Sequence, residues 1–166
     1  MKKYILKITT ILLFLTVFSS CKKIELVPIF PSDEIFAFFE EYLPMVSDGY
    51  ISECFFTDDK KDDKCIIINS MNELEKNFFC SSTILPNIDF KSYTLIIGRY
   101  PMFGEYRVIK QNINIIGLSA KLNITVECPE GSYFIYRPLY YWGLYPKIHN
   151  TSISVTIIYQ KGGICI

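Results

Sequence analysis

The chain is poor in the residues that most catalytic and metal sites require. It has one histidine, His149, and its six cysteines include no Cys-x-x-Cys pair. A lone histidine acts as a base only beside a nucleophile and an orienting group, and zinc sites show paired ligand spacings. No glycine-rich phosphate loop is present. The sequence therefore favours a protein that is not an enzyme and holds no metal or cofactor, although the paired carboxylates of a glycosidase would leave no motif to recognise.

The N-terminal apolar run is too short to cross a membrane. Ile8–Phe18 has 11 residues, about 16 Å as a helix, whereas a hydrocarbon core is roughly 30 Å thick. Lys2, Lys3 and Lys7 make the start of the chain basic. A short apolar run behind a basic start is typical of a secretory signal, which we place at residues 1–20.

The end of this signal resembles a bacterial lipobox, because Phe18-Ser19-Ser20 leads directly into Cys21. The resemblance implies cleavage before Cys21 and a diacylglycerol on its sulfur, which would hold the chain on a membrane. In the alternative, an ordinary signal peptide is cut nearby and Cys21 is incidental. We divide the rest into a lipidated cysteine with a tether, residues 21–31, and a single β-rich domain, residues 32–166.

The residues after Cys21 bear on the membrane and the leaflet. Lys22-Lys23 includes neither the aspartate that retains lipoproteins in the inner membrane of enterobacteria nor the acidic run of surface-exported lipoproteins. This favours the outer membrane, with the periplasmic face and the cell surface both open.

Charge argues against nucleic acid as a partner. The chain has 17 basic and 17 acidic residues, and removing the three lysines of the signal leaves 14 against 17. A slightly acidic surface does not attract phosphates. The one charge cluster, residues 58–63, has four carboxylates that would suit calcium. Its spacing differs from that of an EF-hand loop and it has no central glycine, so a solvated turn is the better interpretation.

The composition and the turn spacing favour strands. Tyrosine, phenylalanine and isoleucine are abundant, and they suit pleated sheets. The fold class predicted is α+β, mainly β: an antiparallel sheet or sandwich with one or two short helices. One helix begins at Ser32 and carries a stripe of apolar residues. The other begins at a capping box, Ser70 with Glu73, and its apolar face extends to Phe79.

The cysteines leave two alternatives open. If Cys21 carries lipid, five cysteines remain, so at least one is unpaired within a monomer. Export to an oxidising compartment would allow disulfides, and the most economical pair is Cys54 with Cys65, on either side of the charged turn. In the other interpretation all five are small, buried apolar side chains.

The candidate binding surface lies in the tyrosine-rich segment 133–145. Flat aromatic arrays stack on sugar rings or dock protein partners. The alternative is structural, since half of the side chains of a strand point into the core. Alternation places Arg137 on the wetter face together with Tyr133. The proposed surface consists of Tyr133, Arg137, Tyr140, Tyr141, Trp142 and Tyr145.

Three segments carry a resemblance to known proteins: Ile67–Lys76, Ile88–Gly98 and Leu139–Lys147. Together they are similar to small, uncharacterised lipoproteins of gut Bacteroidetes. Their order of strand, helix, Ile-Asp-Phe and strand also resembles, more distantly, the C-terminal domain of PrcB-like proteins, which stabilise a secreted protease complex. The resemblance implies an envelope location. We therefore expect a non-enzymatic envelope lipoprotein that is a binding or accessory module for a protein partner or, alternatively, a glycan-binding module.

Overall fold

The computed structural model describes residues 23–43, 54–56, 64–80, 84–128, 136, 138–149 and 152–160. Its architecture is α+β and mainly β, as the sequence predicts. In chain order the elements are β1 (Ile24–Leu26), α1 (Asp33–Tyr42), β2 (Cys54–Phe56), β3 (Lys64–Ile68), α2 (Met71–Asn77), β4 (Phe78–Cys80), β5 (Tyr93–Tyr100), β6 (Arg107–Ile116), β7 (Ser119–Glu127), β8 (Leu139–Pro146) and β9 (Ile153–Gln160).

The described strands form two sheets and a small ribbon. The larger sheet has the order β1-β6-β7-β9, the smaller sheet has the order β3-β5-β8, and β2 pairs with β4. Neighbouring strands are antiparallel except β9, which lies parallel to β7. The predicted antiparallel arrangement therefore holds up to the last strand, which enters the larger sheet in the same direction as β7.

The smaller sheet is covered on both faces. One face of β5 and β8, with Leu95, Ile97 and Trp142, packs against the helices. The other face, with Ile96 and Tyr141, packs against β6 and β7 of the larger sheet. A sheet buried on both sides has nearly continuous apolar strands. The molecule therefore has three layers: the helices, the smaller sheet and the larger sheet.

Two polar contacts fix how β6 lies against β8. The Gln111 amide donates to the Trp142 carbonyl at 2.6 Å, and the Tyr106 hydroxyl donates to the Pro138 carbonyl. Residues later in β6 thus lie beside residues later in β8, so the two strands run in the same direction on facing sheets. We call the end where β6 turns into β7 the hairpin end. Tyr106 and Pro138 lie at the opposite end.

Both predicted helix starts are confirmed. The Ser32 hydroxyl accepts a hydrogen bond from the Ile35 N–H at 3.3 Å, and α1 buries the core side of its apolar stripe. At α2, the Ser70 hydroxyl accepts from the Glu73 N–H at 3.2 Å. The Glu73 carboxylate in turn accepts from the Asn69 N–H at 2.6 Å, one residue before the usual position. Each cap contributes about 1 kcal/mol.

The helix α2 is shorter than its apolar pattern predicts. It ends at Asn77, and Phe78 and Phe79 begin β4 instead of extending the helix. Phe78 is buried and Phe79 is exposed, which is the alternation of a strand. Pairing of β4 with β2 satisfies this backbone, and a helical period could not reveal that partner.

The predicted tether, residues 21–31, is wrong because part of it is a strand of the folded domain. Ile24–Leu26 forms β1 at one edge of the larger sheet, where Ile24 lies opposite Ile115 of β6. The Ile29 N–H then donates to the Leu144 carbonyl at 2.7 Å. The domain therefore begins before residue 32, because this segment finds backbone partners on both sheets. Residues 1–22, with the predicted signal and Cys21, lie outside the described residues.

The predicted disulfide is also wrong. Cys54 pairs with Cys80, while Cys65 carries a thiol. The reason is the strand register: Cys54 of β2 lies directly opposite Cys80 of β4, whereas Cys65 of β3 lies opposite Gly98. Cys128 is disulfide-bonded as well.

Candidate functional site

An aromatic cluster beside α1 is built on Trp142. This residue is fully buried on β8, and its ring stacks on Phe39 of α1 with centroids 4.9 Å apart. Two further rings, Phe30 and Phe36, approach it at 5.5 Å and 5.8 Å. Aromatic pairs at these separations attract each other beyond their shared burial. Trp142 is therefore the floor of an aromatic cluster.

A carboxylate completes this floor. The Trp142 indole N–H donates to Glu40 Oε1 at 3.1 Å. Burial raises the pKa of Glu40 above its ordinary value, and the hydrogen bond from Trp142 opposes that shift. Phe36 and Glu40 are four residues apart, so they lie on the same side of α1, at the edge of its buried stripe. One helix face thus supplies both the ring and the acid.

The outer part of the cluster is open to solvent. Phe30 is 47% exposed and Phe36 is 39% exposed, and their rings meet edge to face with centroids 5.0 Å apart. We call these two residues the Phe30–Phe36 surface. Exposing a pair of large aromatic rings in mutual contact leaves apolar area unburied, which is typical of binding surfaces.

The segment that carries this surface is acidic. Between residues 24 and 43 the chain carries five acidic residues and no lysine or arginine. Asp33 and Glu34 lie in the first turn of α1, where the helix dipole favours them. The acidic residues are Glu25 on β1, which lies opposite Asn114, and Asp33, Glu34, Glu40 and Glu41 on α1. The helix that presents Phe36 is therefore acidic, which suits a partner with basic side chains.

The binding surface expected from the sequence is largely internal. Tyr141, Trp142 and Tyr145 are fully buried, and Tyr140 is half-buried. Burial is deep enough to raise the pKa of the Tyr145 hydroxyl well above its ordinary value. Both faces of β8 are covered by other layers, so these rings offer no open face for stacking on a sugar. Tyr133 and Arg137 lie outside the described residues.

The features that would make a catalytic or metal site do not come together in the described part of the chain. His149 is exposed. A cavity of about 350 Å³ is lined by Cys65, Ile66, Ile67, Ser152 and Ile153, and His149 is not in its lining. Within the described ranges, no three histidine, cysteine or acidic side chains are grouped to hold a metal. The acidic cluster 58–63 falls outside those ranges.

No helix within the described residues is long and apolar enough to span a membrane. Comparison of the chain with protein-family models, curated proteins and solved structures finds no match. The resemblance to Bacteroidetes lipoproteins and to PrcB-like proteins therefore stays a prediction.

Sequence reasoning missed Phe30 and Phe36, although each left a signal. Phe30 lies between Ile29 and Pro31, inside the segment that we interpreted as a tether. Phe36 falls outside the stripe of apolar residues that marks the buried face of α1. A phenylalanine beside such a stripe, rather than in it, indicates a second apolar contact.

Proposed function

We propose that this protein is a lipid-anchored, non-enzymatic component of the cell envelope that binds a protein partner through the Phe30–Phe36 surface. The observation that carries the binding proposal is the exposed contact of these two rings on a buried tryptophan. Phenylalanine contributes about 1.5–3 kcal/mol when fully buried. A partner that covers both rings would gain much of that apolar contribution.

The partner expected has an apolar recess bordered by lysine or arginine. Its recess would take the two rings, and its basic rim would face the acids of α1, since complementary charge steers encounter and sets specificity. The cluster is also held in place before binding: Phe30 and Phe36 rest against Trp142, at 5.5 Å and 5.8 Å between ring centroids. Side chains that are already ordered lose little entropy on association. The cluster is therefore preorganised for binding.

The lipid anchor in this proposal rests on the sequence around Cys21. A basic start, a short apolar run and two serines before the cysteine support lipidation, and we place the protein at the outer membrane. Cells grown with a radioactive fatty acid should incorporate label into the wild-type chain, and Cys21→Ser should lose it. An unlabelled wild-type chain, or equal labelling of the serine variant, would remove the anchor from the proposal.

The partner-binding surface is testable with one double variant. Crosslinking in cells followed by mass spectrometry identifies recurrent partners, and each purified partner is then titrated against the purified protein. Phe30→Ser with Phe36→Ser should weaken binding by about tenfold or more, because interface aromatics commonly contribute over 1 kcal/mol each.

The matched control is Phe103→Ser. Phe103 is also exposed and also lies against a ring, that of Tyr136, at 5.6 Å, but it is remote from α1 in the sequence and packing. The Phe103→Ser variant should bind the partner with the same affinity as the wild type. Equal affinity of the double variant and the wild type, or a loss in the control alone, would contradict the proposed surface.

A further inference from the structure

The first described residues leave very little chain between Cys21 and the folded domain. Lys23 is the first of them, and β1 begins at Ile24, paired with β6. Three residue steps join Cys21 to Ile24, which fully extended span about 10 Å. A lipid on Cys21 would therefore hold the start of β1 within about 10 Å of the headgroups, and the same end of the larger sheet with it.

That end of the sheet is the hairpin end. Ile24 lies opposite Ile115, and Ile116 lies opposite Ser119 across the β6–β7 turn. The turn has two residues, Gly117 and Leu118. Gly117 has a φ of 59°, which the tight hairpin requires and which glycine adopts without a steric penalty.

The side chains at the hairpin end are apolar where polar ones are usual. The second position of a two-residue turn beginning with glycine commonly holds Asn, Asp or Ser. Here it holds Leu118, which is 96% exposed. Ile116 and Ile24 beside it are 52% and 51% exposed. Three large aliphatic side chains thus project from the one end that the anchor would hold nearest to the membrane.

Basic side chains lie at the same end. Lys23, directly before β1, and Lys121 on β7 are exposed, and Lys91 is exposed in the turn before β5. Glu25 on β1 is the acid between them, and its carboxylate accepts from the Asn112 amide at 2.8 Å. The Lys147 N–H donates to the Ser92 carbonyl at 2.9 Å, which places this turn at the end of β8, and β8 runs in the same direction as β6. Asp89 is the acid of this turn, and its carboxylate already accepts from the Lys91 N–H. Lysines around an apolar tip suit a bilayer surface with anionic lipids.

We propose that the hairpin end contacts the membrane, with Leu118 and Ile116 entering the interfacial region and the lysines meeting lipid headgroups. This inference rests on the lipid anchor of the proposed function. The chain of β1 runs away from the hairpin end, so the Phe30–Phe36 surface lies farther from the bilayer than Leu118 does. One end of the domain thus faces lipid while the aromatic surface stays open to a protein.

The test compares two tryptophan variants of the full chain, Leu118→Trp and Phe103→Trp. Phe103 is exposed near Tyr106, at the end remote from the hairpin, so Phe103→Trp is the matched control. Each lipidated protein is purified from cells fed the labelled fatty acid and inserted into vesicles of phosphatidylethanolamine and phosphatidylglycerol containing brominated lipid. The wild-type chain gives the background emission of its buried Trp142, which is subtracted.

We expect the emission added by Leu118→Trp to shift to shorter wavelength and to lose about half or more of its intensity to bromine, because interfacial side chains sit about 5–10 Å deep. Emission from Phe103→Trp should be unchanged. If the chain is labelled but both variants are quenched equally, or neither is, the inference is overturned while the anchor stands. If the chain carries no label, the anchor fails and the inference fails with it.

Discussion

Replacing Trp142 with alanine is expected to lower the free energy of unfolding by about 3–5 kcal/mol. The ring is fully buried, stacks on Phe39 and forms the floor beneath Phe30 and Phe36. Alanine would leave a cavity between α1 and β8 that the neighbouring rings can fill only in part. It would also remove the indole donor from the half-buried Glu40 carboxylate, which adds to the loss.

Urea unfolding followed by far-UV circular dichroism measures this effect, since the variant has no tryptophan left to report it. Trp142→Phe keeps an aromatic ring in the site and should lose clearly less stability than alanine. Phe103→Ala removes an exposed ring and should change the free energy by no more than about 0.5 kcal/mol. A loss below about 1 kcal/mol for Trp142→Ala would show that the ring is not part of the core.

Replacing Cys80 with serine is expected to cost about 3–4 kcal/mol, whereas replacing Cys65 should cost far less. The Cys54–Cys80 bond closes a loop with a sequence separation of 26 residues, and opening it increases the entropy of the unfolded chain. Cys65 carries a thiol and is only partly buried, so replacing it opens no disulfide. The pairing expected from the sequence, Cys54 with Cys65, predicts the opposite order.

Urea unfolding of the oxidised proteins separates the two pairings. The double variant Cys54→Ser, Cys80→Ser should be about as stable as Cys80→Ser alone, because each change breaks the same bond. In reducing buffer, wild type and Cys80→Ser should differ by much less than in oxidising buffer. Peptide mapping without reduction should recover the Cys54 and Cys80 peptides joined. A joined Cys54–Cys65 peptide would contradict the strand register of β2 and β4.

Local sequence signals predicted the helix starts and the strand character of β6 and β9. Ser32 and Ser70 mark helix starts because their hydroxyls satisfy backbone donors within the next turn. The alternation of Ile153, Val155 and Ile157 with polar residues also indicates the strand β9. The register shift in β6, between Val108 and Lys110, also fits the irregular alternation of that segment. Each of these signals can be read from residues that are close in sequence, although both strands need β7 as a partner.

Features that depend on distant partners could not be predicted. The apolar run of β8 looks the same whether its aromatic rings face solvent or a second layer, and only the packing of α1 and the larger sheet decides this. The same holds for β1, whose three residues become a strand only because β6 offers an unpaired edge. The predicted cysteine pairing was wrong for the same reason, because the partner of Cys54 depends on which strand lies beside β2.

The site was found only in part for a related reason. Trp142 was expected on an exposed binding surface, but it is fully buried and supports the rings of Phe30 and Phe36. The exposed rings come from Phe30 and Phe36, one in an irregular segment and one on a helix. No periodic pattern joins two such residues.

The pairing of β1 with β6 also bears on when this domain can fold. The first strand among the described residues has its partner at Ile113–Ile115, so this edge of the sheet stays incomplete until that part of the chain is present. Contacts between segments so far apart form late, because the closure of a long loop opposes them. If the protein is exported as proposed, this delay would keep the chain unfolded while it passes through a translocation channel, and the edge of the larger sheet would form afterwards.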